Sequence, residues 1–180
     1  MSPSDPFPAY SYVPGGPWPH PNRSAGGHQG GERPPPIGQS EGWAASAAYL
    51  RGIALFNAGY YWEAHEAWEG LWHAHGRAGA IADLLKALIK LAAAGVKVRE
   101  RQPAGVATHA RRAAELFAAA GTARLLGLDP AEWAATARGV AAEPPTDPSP
   151  PGSPVACVFA FELRPAGSAA SDPPGPAVTA

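Results

Sequence analysis

A single short stretch of the chain concentrates the residues that could do chemistry. It runs from Phe56 to Arg77 and reads FNAGYYWEAHEAWEGLWHAHGR. Within it, His65, Glu66 and Glu69 form the pattern H-E-x-x-E, and an imidazole and a carboxylate four residues apart on a helix lie on one side and can touch. This spacing predicts a hydrogen-bonded polar pair in the core, a metal site or an acid–base pair.

The first interpretation treats the motif as part of the helix packing. At 100° per residue, His65 shares an arc of the helix with large apolar residues, Glu69 lies at its margin and Glu63 points away toward solvent. A buried imidazole needs a hydrogen-bond partner, which Glu69 or a backbone carbonyl can supply. The pair would then act as a polar lock that fixes how the helices pack.

The second interpretation is a metal site. H-E-x-x-E is related to the H-E-x-x-H zinc helix, in which the first and last residues bind the metal and the glutamate acts as general base. A catalytic zinc needs a third protein ligand. The predicted site holds a divalent metal such as zinc between His65, Glu69 and His109, with His73, His20 and His28 as weaker candidates for the third ligand.

The third interpretation is acid–base catalysis without a metal, a hydrolase-like activity in which His65, Glu66 and Glu69 are the catalytic residues. No serine or cysteine stands at a recognisable nucleophile turn, and the single cysteine, Cys157, lies in a late extended segment. Because a complete catalytic set cannot be assembled, we favour a non-catalytic binding or interaction module for an unknown protein or small molecule. The enzyme is the alternative.

Trp62 and a group of arginines are the predicted interaction surface. Trp62 lies about 100° from the core arc, so we expect it to be exposed. Arg111 and Arg112, with Arg99 and Arg101, fall near the corner between the third and fourth predicted helices, where they can contact an anion or an acidic partner. The formal net charge of the whole chain is −1, which argues against nucleic acid as the partner.

The positions of the prolines divide the chain. Of 22 prolines, 10 lie in residues 1–42 and 10 in 143–180, and helices hold few prolines beyond their first turn. We therefore expect a helical domain at 43–142, a largely disordered Pro/Gly-rich arm at 1–42 and a Pro-rich tail at 143–180. Aromatic residues among the prolines leave open a second possibility, that the arm docks on the domain as an extended strap.

One segment of the tail has the composition of a strand. Residues 155–163 read VACVFAFEL, and a lone strand is not stable in water. We expect this segment to lie extended against the helices or to pair with another chain, which would allow self-association.

Hydrophobic periodicity and helix-breaking residues predict the fold class. They indicate helices at 43–57, 60–75, 80–101 and 103–120, and a short helix that begins at Asp129-Pro130. The predicted fold is all-α, a small four- to five-helix bundle with Pro/Gly-rich arms. Because there is no run of about 18 apolar residues and no secretory signal pattern, we expect a cytoplasmic protein without membrane contact.

Two consecutive stretches also carry a family resemblance. ALFNAGYYWEAHEAWEGLWHAHGR (54–77), followed by ADLLKALIKLAAAGVKVRERQPAGVATHARRAAELF (82–117), resembles the bacterial family named domain of unknown function 309. One departure is Ala87, where glycine is usual. The resemblance implies a compact all-α fold of four or five helices and a shared polar site, and it implies no particular reaction.

Overall fold

Five α-helices follow one another with short connections in the computed structural model, which describes residues 6–21, 34–37 and 42–166. After a 3-10 turn at Trp43–Ala45, the helices are α1 (Ala47–Asn57), α2 (Tyr61–Ala74), α3 (Ala80–Arg99), α4 (Pro103–Ala119) and α5 (Pro130–Ala142). No strand occurs within the described residues. The predicted all-α fold is confirmed.

Local sequence signals set the ends of the helices. The Ser46 hydroxyl accepts a hydrogen bond from the Tyr49 N–H at the start of α1. The Asp129 carboxylate accepts hydrogen bonds from the N–H groups of Ala131 and Glu132, directly before Pro130 opens α5. Such caps satisfy backbone donors that have no partner inside the helix, and they explain why the predicted start of the fifth helix is right.

Helix α3 is central to the bundle because it packs against both α2 and α4. Helix α1 packs on the other side of α2, and α5 packs against α4. The leucines of α3 are fully buried, and the largest fully buried side chain of the core, Trp68, comes from α2. Gly52 of α1 permits this packing, because a Cβ at that position would overlap the Trp68 indole.

The strand-like segment 155–163 lies extended against the helices, which is one of its two predicted alternatives. The side-chain amide of Asn57 donates to the Leu163 carbonyl at 2.9 Å and accepts from the Leu163 N–H at 2.8 Å. Phe159 stacks on Phe56 with ring centroids 5.6 Å apart. Gly59 is required beneath this segment, since its φ is +86° and a Cβ there would lie 2.6 Å from the Ala156 carbonyl oxygen.

The N-terminal strap (6–21) also lies on the helical domain, so the disorder expected for the arm does not describe these residues. Its first half packs on α1 and α2, and the Ser11 N–H donates to the Pro154 carbonyl at 2.8 Å, which joins the strap to the C-terminal segment. The predicted boundaries of the helical domain, residues 43 and 142, stay a prediction. Within the described ranges, none of the helices is both long and apolar enough to cross a membrane.

Candidate functional site

The central part of the predicted site lies on one face of the bundle, formed by α2, α3 and α4. The buried stripe of α3 turns its leucines inward, which leaves Lys86 and Lys90 on the outer side of the helix, partly buried. Helix α2 contributes His65 and Glu69 on one flank of these lysines, and α4 contributes His109 on the other. We call this surface the α2–α3–α4 face.

His65 is partly buried on this face rather than locked in the core. Its side chain is 24 % exposed, and its Nδ1 lies 3.6 Å from Glu66 Oε1. Burial lowers the pKa of His65 below its usual value; Glu69 opposes this shift, whereas Lys90, Lys86 and His109 add to it. Burial thus favours the neutral imidazole, and no hydrogen bond joins it to Glu69 in the part of the chain that the structure describes.

The helical wheel was wrong about which polar residue of α2 is buried. Glu63, predicted to point to solvent, is only 2 % exposed. Its carboxylate accepts hydrogen bonds from the Ser11 hydroxyl at 2.8 Å and from the Tyr12 N–H at 3.0 Å. The wheel considered only the helices, whereas the N-terminal strap covers the side of α2 that carries Glu63.

His109 completes the other flank of the face. Burial lowers its pKa, Lys90 and Lys97 lower it further, and Glu100 partly opposes them. Among residues 6–21, 34–37 and 42–166, no three His, Cys, Asp or Glu side chains are grouped so that they could hold a metal ion. The structure thus does not assemble the predicted zinc ligands His65, Glu69 and His109, and the weaker candidate His28 lies outside the described residues.

Lys86 is held in place by the aromatic ring of Trp72. Its Nζ lies 3.6 Å from a Trp72 ring centroid, a cation–π contact, and the Arg77 guanidinium lies 5.3 Å from the ring. Burial lowers the pKa of Lys86, as do the positive charges of Lys90, Arg77 and Arg112, while Glu69 raises it. Sequence reasoning missed both lysines as site residues, although their spacing of four residues opposite the apolar stripe was a usable signal.

Trp62, predicted to be exposed, is covered by the strap. The Tyr12 ring meets it edge-on at 4.8 Å between centroids, and the His20 ring does so at 5.6 Å. Its Nε1 is buried and has no hydrogen-bond partner among the described residues. The prediction of an exposed indole is wrong for the same reason as that for Glu63, because the strap occupies this side of α2.

The arginines predicted near the corner between α3 and α4 make two different kinds of contact. Arg99 pairs with Asp147, Nε to Oδ2 at 3.0 Å, with side chains 6 % and 5 % exposed, and Arg101 donates to the Ser149 carbonyl. These two arginines therefore hold the chain's own tail. Arg111 and Arg112 are exposed on α4, and Arg112 pairs with Glu115 at 2.7 Å.

A cavity of about 330 Å³ opens beside this corner, between the α3–α4 turn and residues 145–147. Val98, Pro103 and Val106 supply its apolar lining. It contains none of the histidines or acids of the predicted site.

Comparison with known proteins gives a family match for the part of the chain that holds this face. No curated protein and no solved structure matches the chain. Residues 49–109, which run from α1 to His109, match the family model described as Domain of unknown function (DUF309). The resemblance inferred from the sequence is therefore confirmed over this segment.

Proposed function

We propose that the domain is a non-catalytic binding module that holds the anionic group of a ligand on the α2–α3–α4 face. The observation that carries this proposal is the position of Lys90. It stands on α3 close enough to His65 and to His109 for its charge to lower the pKa of both imidazoles. Lys90 and His109 can each offer an N–H donor to one anionic group on this face.

The charges around Lys90 favour a carboxylate or a phosphate as the ligand group. Lys86 adds positive charge on the same helix, and the charges of Lys90 and Arg112 both lower its pKa. Glu66 and Glu69 lie on the α2 flank, so we expect the anion on the α3–α4 flank, against Lys90 and His109. Hydrogen bonds from charged donors to an anion are among the strongest that proteins make.

Binding of inorganic phosphate to the full chain, at constant ionic strength, tests this proposal. Following the titration by NMR chemical shifts, we expect Lys90→Ala to weaken the apparent affinity about 10- to 100-fold, since a hydrogen bond to a charged group contributes about 1.5–3 kcal/mol. Arg138→Ala is the matched control, because it removes one positive charge from an exposed position of α5. Equal losses in the two variants would mean that phosphate responds only to net charge, and the proposal would fail.

A further inference from the structure

The N-terminal strap lies in a groove of α1 and α2 whose residues bind it mainly through its backbone. Glu63 accepts the Tyr12 N–H at 3.0 Å. The Tyr60 hydroxyl donates to the Pro8 carbonyl at 2.9 Å, and the Arg51 Nη2 donates to the Pro6 carbonyl at 2.9 Å. Groups of this kind recognise an extended chain with little regard to its side chains. We call this surface the strap groove; its residues are Arg51, Tyr60, Trp62 and Glu63.

Side-chain contacts add selectivity for aromatic residues at both ends of the groove. Phe7 packs on Tyr60 with ring centroids 5.1 Å apart and lies 4.6 Å from the Arg51 guanidinium carbon. At the other end, Tyr12 packs edge-on against Trp62. The groove therefore suits an extended segment with aromatic residues at two points. Proline-rich segments commonly dock in aromatic-lined grooves of this kind.

A hydroxyl in the middle of the segment is bound as specifically as the backbone. The Ser11 hydroxyl donates to Glu63 Oε2 at 2.8 Å, so one buried carboxylate receives both a side-chain and a main-chain donor of neighbouring residues. Hydrogen bonds to a charged acceptor are strong. Glu63 is thus the anchor of the strap.

The groove and its occupant belong to different parts of the chain. All four groove residues lie within 49–109, the segment that matches the family model. The strap lies outside that segment and is joined to it by the Gly- and Pro-rich residues 22–41. The receiving surface is therefore part of the family segment, whereas the occupant comes from the flanking chain.

We propose that the strap groove is a receptor for extended proline- and aromatic-containing polypeptide segments, and that the strap is its resident occupant, displaced when a partner segment of the same chemistry binds. This inference does not depend on the anion site, because Lys90 and His109 lie on α3 and α4 whereas the strap groove is formed by α1 and α2. Covalent attachment through a short linker gives a segment an effective concentration on the order of 1 mM at its binding site. An external segment therefore competes poorly unless the strap is weakened, and the experiment must weaken it within the intact chain.

The test uses a full-length receptor in which Ser11→Ala and Tyr12→Pro remove both donors to Glu63. A fluorescent peptide with the sequence of residues 6–21, PFPAYSYVPGGPWPHP, is titrated with each protein and followed by anisotropy. We expect the weakened receptor to bind the peptide at least about tenfold more tightly than the unaltered chain, because the resident strap no longer competes. A peptide that itself carries Ser11→Ala and Tyr12→Pro should not bind.

Two further receptors make the result specific for Glu63. Adding Glu63→Gln to the weakened receptor should weaken peptide binding at least about tenfold, while adding Glu115→Gln, an exposed glutamate on α4, should leave it unchanged. Helix content by circular dichroism checks that each variant is folded. Absence of binding by a folded weakened receptor, or equal binding with and without Glu63→Gln, overturns the proposal.

A measurement on the unaltered chain covers the case in which the weakened receptor does not fold. Hydrogen exchange of the Tyr12 amide reports release of the strap, since that N–H is bonded to Glu63. We expect exchange of this amide to accelerate when unlabelled peptide is added at millimolar concentration. Unchanged exchange at that concentration, with no peptide bound, also overturns the proposal.

Discussion

Replacement of Glu63 by glutamine is expected to release the N-terminal strap from the domain. The carboxylate accepts two hydrogen bonds from the strap and is only 2 % exposed. A glutamine amide removes the charge and turns an NH₂ group toward one of the two donors. Since a hydrogen bond to a charged group contributes about 1.5–3 kcal/mol, loss of one of the two bonds should weaken docking of the strap by about 1.5–3 kcal/mol.

Hydrogen exchange of the Tyr12 amide measures this change directly. A loss of about 1.5–3 kcal/mol corresponds to exchange about 10- to 150-fold faster, because 1.36 kcal/mol is a factor of ten. Glu115→Gln is the control: its pair with Arg112 has side chains more than half exposed, and exposed pairs contribute about 0–1 kcal/mol. If Tyr12 exchanges equally fast in Glu63→Gln and Glu115→Gln, the assignment of Glu63 as the anchor of the strap is refuted.

Three other perturbations test the packing of the chain. Gly59→Ala should lower the free energy of unfolding by about 1–3 kcal/mol in urea titrations, because a φ of +86° strains alanine and its Cβ would lie 2.6 Å from the Ala156 carbonyl oxygen; an unchanged value would contradict both the backbone conformation of Gly59 and the close approach of the C-terminal segment. Arg99→Met should destabilise by about 3–5 kcal/mol, since it leaves Asp147 buried without its ion-pair partner, and adding Asp147→Leu should restore part of the loss. His75 accepts the Ile37 N–H at Nε2, and burial lowers its pKa. As the pH falls, the unfolded chain therefore binds a proton at a higher pH than the folded chain does, so stability should fall below about pH 6.5. A higher urea midpoint at pH 5 than at pH 7 would refute this.

The helices could be predicted from the sequence because their determinants are local. Apolar spacing marks the buried stripe of α3, and Asp129 with Pro130 marks the start of α5. Both signals act within one or two turns of chain, so no knowledge of distant contacts is needed.

The burial of polar residues on α2 could not be predicted in the same way. The surroundings of Glu63 and Trp62 are set by strap residues about 50 positions earlier in the chain, and a helical wheel contains no information on such contacts. The wheel also puts His65 in the core, because it gives the angle of a residue on the helix but not the neighbour at that angle. The spacing of Lys86 and Lys90 on α3 can be read from the sequence. Their position next to His65 and His109 cannot, because it depends on how three helices pack.

An anion bound against Lys90 and His109 would change the pKa of His109, which NMR can measure in the absence and presence of saturating inorganic phosphate. A bound anion favours the protonated imidazole, so we expect a higher pKa of His109 with phosphate, each unit corresponding to a tenfold preference of the anion for the charged form. The same titration of Lys90→Ala should show a smaller rise. A pKa of His109 that does not change with phosphate would contradict the claim.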